Sequence, residues 1–218
     1  MLLRGACFAL VIGMACMGAA AALEPSMEEQ AFVKSLVVER FMDQTATPPF
    51  SFVYGGRPSP EVLKDWSVKT HKRKLDKARR ERIITYSDEA TGLEVRCVGI
   101  EYKDYPAMEW VVYFENKGKA DTPIIEEVQA LDMRLVRGKS GEFILHHACG
   151  SDNKTSDFQP MADTLGPKAT LKLGSEGTSS IGALPFFTIA SPDEGLVAAV
   201  GWSGSWAAEF ARDGGRGV

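Results

Sequence analysis

Apolar residues near the start of the chain recur at three- and four-residue intervals. Phe32, Val33, Leu36, Val37 and Phe41 therefore share one stripe of a helix. Ser26 precedes the stripe with Glu29 three residues on, a capping box in which each residue satisfies an amide at the helix start. Thr47-Pro48-Pro49 ends the run. The spacing predicts a helix over Ser26–Gln44. A shorter one is predicted from Ser59-Pro60-Glu61 to Trp66, because proline suits the first helical position.

Beyond it the period drops to two. Arg82–Ser87 and Leu93–Val98 read as strands around the turn Asp88–Gly92. After Tyr105-Pro106, Met108, Trp110, Val112 and Phe114 alternate with Glu109, Val111, Tyr113 and Glu115. Asn116-Lys117-Gly118 makes a turn, and strand character resumes over Thr122–Leu135. Further strands are predicted at Phe143–His147, Thr170–Leu173, Phe186–Ile189, Leu196–Gly201 and Trp206–Ala211. Strands do not alternate with long helices, so no parallel βαβ sheet is expected. The pattern predicts an all-β fold, an antiparallel β-sandwich at 48–218 preceded by one short amphipathic helix within 23–47.

Residues 1–22 follow another rule. Arg4 precedes the apolar run Ala6–Met17, and Ala20-x-Ala22 fits a small-x-small cleavage site. The run is shorter than the roughly 20 residues that a bilayer requires. A signal peptide cleaved after Ala22 is expected, with export to the periplasm or the extracellular space and no transmembrane span. A lipoprotein cleavage at Ala15-Cys16 is the lesser reading, since Gly13 stands where a larger aliphatic residue is usual. Removing the leader leaves about 195 residues, enough for one domain. The formal net charge of −4 gives no electrostatic case for nucleic acid. Cys97 and Cys149 remain after the leader. They form a disulfide in an oxidising compartment, or Cys97 is an inward-facing free thiol within alternating LEVRCVG.

Chemistry is sparse. Lys69–Arg82 is strongly basic but interrupted by Asp76 and Glu81, and it reads as a solvated edge or connector that discourages edge-to-edge pairing. His146, His147, Cys149, Asp152 and Asp157 have metal-ligand chemistry, but adjacent histidines on a strand point to opposite faces. A polar loop of Asx turns explains Ser151-Asp152-Asn153 equally well. No GxSxG elbow occurs, no cofactor motif appears, and no pair of carboxylates stands out. No catalytic residue and no metal ligand is assigned. Trp110 shares a strand face with Met108, Val112 and Phe114 and is expected in the core, with Trp66 covering the sheet. Trp202 and Trp206 flank Ser203-Gly204-Ser205 at a strand end. They suit stacking on a sugar's apolar face, or they pack inside the sandwich.

The segments PPFSFVYGG, TGLEVRCVGIEYKDYPAMEWVVYFENKGKADTPIIEEVQALD, FILHHACGSDNKTSDFQP and GWSGSWAAEFARDGG, in that order, resemble the N-terminal region of bacterial α-galactosidases of glycoside hydrolase family 36. The resemblance runs from about Pro48 to Val218. It implies a large supersandwich-like domain placed ahead of a (β/α)8 barrel with two catalytic aspartates. A barrel of roughly 250 residues does not fit beside a sandwich in this chain. The resemblance thus implies a non-catalytic domain whose galactose-containing oligosaccharide is engaged through a barrel not included here. It also implies that Trp202, Trp206, Asp152 and Asp157 help wall the sugar pocket. Arg212–Val218 resembles a hairpin turn entering its return strand, so the expected sandwich is cut short, with an open edge prone to self-association. The alternative is a free-standing secreted carbohydrate-binding or interaction module.

Overall fold

The computed structural model describes residues 24–42, 47–136, 141–192 and 194–218. The leader expected at 1–22, with Cys7 and Cys16, lies outside the described residues, as do the last residues of the predicted first helix. The described chain is antiparallel and nearly all β, as its alternation predicts. It clusters into two compact units, one ending at Leu131 and the other running from Asp132 to Val218.

In the first unit, helix α1 (Met27–Phe41) is followed by β1 (Ser51–Tyr54), β2 (Arg57–Pro58), the short α2 (Ser59–Val62) and a 3-10 turn at Leu63–Asp65. Then come β3 (Ser67–Lys74), β4 (Arg79–Ser87), β5 (Leu93–Tyr102), β6 (Met108–Asn116) and β7 (Ile125–Gln129). Two sheets result, with orders β3-β4-β5-β6 and β2-β1-β7. Register places Ile84 beside Cys97 and Val112, and Tyr86 beside Val95 and Phe114, so their side chains share one face. Phe50, Phe52 and Tyr54 meet that face. The Phe52 ring stands edge-on to Phe114 at 5.3 Å and Phe50 edge-on to Tyr86 at 6.2 Å. The Ser59 hydroxyl, itself buried, accepts the Phe52 amide.

The capping box forms as the sequence predicts: the Glu29 amide donates to Ser26 Oγ, and the Ser26 amide to Glu29. Val33, Val37 and Phe41 are buried, but Phe32 is 48% exposed. Phe32 sits at the margin of the stripe, about 100° from Val33 around the helix axis. Phe41 reaches the sheet over Gly99, where its ring lies 6.2 Å from that of Trp110. Trp110 packs against the core, and its indole N–H donates to the Ala130 carbonyl at 2.7 Å. Arg82 is buried on the same face and is held by a two-pronged pair with Glu101 at 2.9 and 3.1 Å. Cys97 is a fully buried free thiol, and burial pushes it up to about 12.

The second unit contains β8 (Phe143–Ala148), β9 (Pro160–Leu165), β10 (Thr170–Ser175), β11 (Phe186–Ser191), β12 (Glu194–Ala199) and β13 (Trp206–Ala211). Its sheets have orders β12-β11-β8-β9 and β10-β13. Phe143, Leu145, Leu165, Phe187, Trp206 and Phe210 form its core, with the Phe187 and Phe210 rings edge-on at 4.8 Å. The buried Arg212 guanidinium pairs with Glu142, donates to the carbonyls of Leu165 and Gly215, and lies over the Phe143 ring. Leu135 and Val218 exchange main-chain hydrogen bonds at 2.7 and 2.9 Å.

Four strands carry no clear signal in the sequence. β1 reads as part of an aromatic stretch, β2 is only Arg57-Pro58, β3 has a single aliphatic residue, and β9 is the mixed segment PMADTL. Conversely, the strand character expected over Thr122–Leu135 is realised only in β7. There Glu127 turns to φ 49° and breaks the regular ladder.

Candidate functional site

The second unit has an open cleft of about 730 Å³ at the end of the β10-β13 ladder. Register sets Trp206 opposite Ser175, so the cleft begins where that ladder ends. The Trp206 ring is buried in the core, and its N–H donates to the Ser179 carbonyl at 2.7 Å. One side of this indole therefore stiffens the unit while the residue itself lines the cleft. Trp202 is 64% exposed. Its indole folds back over the turn, and a Cβ on Gly204 would lie 2.6 Å from the Trp202 ring nitrogen. A larger residue at 204 would push that ring outward.

Asp152 reaches the cleft from the loop between β8 and β9. One of its oxygens accepts the Gly182 amide at 3.1 Å, and the other pairs with Lys154 at 3.3 Å. Asp157 has another task. Its carboxylate accepts the amides of Asp152, Asn153 and Lys154 at 3.0, 3.0 and 3.2 Å, and the Ser151 hydroxyl as well. These bonds, that from the Asp152 amide first, hold its carboxyl below the ordinary carboxylate range. Asp157 thus folds the loop, and Asp152 is the carboxylate the loop presents.

The loop is fastened to the segment opposite. Gly150 and Gly182 share a main-chain bond at 2.8 Å, and Ser151 donates to the Ser180 carbonyl at 2.7 Å. A Cβ on Gly150 would lie 2.1 Å from that same Ser180 oxygen, so the two strands of backbone approach as only glycine permits. Of the four residues singled out from sequence, Asp152 and Trp206 line one cleft, Trp202 lies on the turn leading into β13, and Asp157 builds the loop. Ser205, within the turn between the two tryptophans, is in the lining as well, whereas Glu176 was not legible as a site residue. Glu176 comes beside that turn only through the pairing of β10 with β13, which no local motif encodes.

The wall thus offers two serines and two carboxylates around an open space, with the largely buried Trp206 and the aliphatic Ile181 as its apolar part. That chemistry suits hydrogen bonding to the hydroxyls of a sugar beside an apolar face. His146 is exposed and His147 is turned inward, where its Nε2 lies 2.7 Å from Asp163, so the adjacent histidines do point apart. Among the described residues no group of three His, Cys, Asp or Glu side chains could hold a metal ion, and no helix is long and apolar enough to cross a membrane.

No protein-family model and no curated protein matches the sequence. Solved structures do. The family 36 α-galactosidase AgaA from Geobacillus stearothermophilus is similar with a TM-score of 0.50 and 15% identity, over 79% of this chain and 29% of that one. A variant of that enzyme in complex with stachyose gives 0.48 and 17% over 76% of this chain and 25% of its own. Another, in complex with raffinose, gives 0.44 and 15% over 79% and 29%. This chain is therefore similar to less than a third of the length of the enzyme, and its fold is one that occurs as part of a glycoside hydrolase family 36 α-galactosidase.

Proposed function

We propose that this chain is the non-catalytic, N-terminal β-sandwich of an exported α-galactosidase-like glycoside hydrolase, which supports and walls a catalytic barrel not included in these residues. The observation that carries the reading is the fold itself, which matches 79% of this chain to only 29% of a family 36 α-galactosidase. The cleft adds a local reason. Asp152 and Glu176 line it with carboxylates, and the exposed Trp202 stands in the turn that leads to its Ser205 and Trp206. In this reading, the leader directs the chain to the periplasm or beyond, and galactose-containing oligosaccharides are the substrate of the whole assembly. The test is the coding sequence around this one in its source genome. An adjoining segment encoding a (β/α)8 barrel with two catalytic aspartates supports the reading. An unrelated neighbourhood on both sides sinks it.

One observation favours a second reading, a free-standing secreted carbohydrate-binding module. Trp202 is a large aromatic side chain left mostly in solvent, in the turn that leads into β13. Calorimetric titration with galactose-containing oligosaccharides distinguishes the two. Saturable binding by the chain alone, lost in Trp202→Ala without a change in melting temperature, supports the module. No heat above dilution supports the wall of a larger enzyme.

A further inference from the structure

Between Lys69 and Arg82 basic residues outnumber acidic ones eight to two, in a chain whose formal net charge is −4. The hairpin β3–β4 divides these charges by type. Its arginines are neutralised: Arg73 pairs with Glu81 at 2.9 Å, Arg79 with Asp76 at 2.8 Å, and Arg82 and Arg80 both approach Glu101. Lys69, Lys72 and Lys74 have no ion pair among the described residues. All three are exposed.

These lysines lie on the outermost strand of the β3-β4-β5-β6 sheet. β3 is bonded to β4 through eight successive register pairs, from Ser67↔Ser87 to Lys74↔Arg80. No other main-chain bond reaches it among the described residues. Its outer row of amides and carbonyls is therefore open over a length longer than a typical strand. Lysines along such an edge oppose pairing with another neutral or basic strand. An acidic strand reverses the sign of that effect, because carboxylates set across from them become partners.

We propose that β3 is a docking edge for an extended acidic segment of another protein, which adds to the sheet as a fifth strand. The added main chain takes up the open hydrogen-bonding row, and alternate side chains supply the selectivity. Lys69 lies on one face of β3, and Lys72 and Lys74 on the other, so a ligand with acidic side chains on both faces is matched best. A protein segment fits better than an anionic polysaccharide, which lacks a backbone to complete the row. This inference is independent of the cleft and of the sugar reading.

The probe is a fluorescein-labelled peptide of Glu-Glu-Val-Val repeats, which sets Glu on both faces of a strand, titrated into the full chain by fluorescence anisotropy. Saturable binding is expected, weakened by added salt. The peptide with Lys in place of Glu should not bind, and Lys69→Glu/Lys72→Glu/Lys74→Glu should weaken binding at least tenfold. A second probe avoids any effect of substitution on folding: the acidic peptide N-methylated at every residue keeps its charge but has no amide N–H to donate on either edge, and it should bind at least tenfold more weakly. Amide exchange should slow within Val68–Lys74 only when the unmethylated peptide is bound. Equal binding of the methylated peptide, or competition by dextran sulfate without any slowing of exchange, would overturn strand addition and leave a polyanion patch. Unchanged affinity in the triple variant would overturn the role of the lysines.

Discussion

Trp206 sits in the core of the second unit with its N–H satisfied, whereas Trp202, four residues before it, is 64% exposed. Removing each indole should therefore have a different effect. Trp206→Ala leaves a cavity and an unpaired Ser179 carbonyl, at a cost of roughly 3–5 kcal/mol. Trp202→Ala should change stability by no more than about 0.5 kcal/mol. Chemical denaturation of the two variants, compared by midpoint, checks both. A second residue-level prediction concerns acid. Asp213 accepts the Gly215 and Gly217 amides at 2.7 and 3.0 Å and pairs with Arg134, which first among these causes lowers its carboxyl to about 2. A carboxyl lowered in the fold stabilises the fold above its unfolded value of about 4, and that contribution disappears as pH falls through about 2. The stability gap between the parent and Asp213→Asn should accordingly be present at pH 6 and close between about pH 4 and 2. A gap that persists below pH 2 would show that Asp213 acts through something other than its charge.

At the scale of elements, α1 depends on a single missing side chain. A Cβ at Gly99 would stand 2.5 Å from Met108 Cε and 2.8 Å from the Phe41 ring. Met108 can swing aside, but Phe41 is fully buried at the helix end and has less room. Gly99→Ala is expected to destabilise by about 1–3 kcal/mol and to speed amide exchange in α1 more than in β5. Equal exchange in both would place the strain elsewhere. The contrast between α1 and β3 shows how much of the fold the sequence makes legible. α1 announces itself by its capping box and its stripe, because both are local. β4, β5 and β6 do so by alternation, since one face of each is buried. β3 is exposed on both faces, so nothing in its pattern separates a strand from a connector, and only its pairing with β4 reveals it. β9 is hidden for the same reason, with little of its length buried. The cleft was half legible: its tryptophan and its Asx loop are visible in sequence. Glu176 was not, because its place depends on which strands pair.

At the scale of the whole chain, the second unit leaves apolar side chains of one sheet face in solvent. Val197 is 71% exposed, Phe186 51% and Ile144 37%. Thr188 lies between His146 and Val197 in register on that same face. Among the described residues, the outer side of β13 also has no strand beside it. Exposed apolar area and an open edge favour association. The purified chain is expected to bind a hydrophobic dye and to scatter light as more than a monomer, with association increasing with concentration. A monomer that ignores the dye would contradict this expectation and strengthen the free-standing module. The central claim is that these residues wall a catalytic centre without containing one. It is tested most directly by hydrolysis of a chromogenic α-galactoside with the purified chain. The account predicts release no faster than the buffer blank. Sustained turnover that follows the protein through purification would contradict it and would require an active site within these two β units.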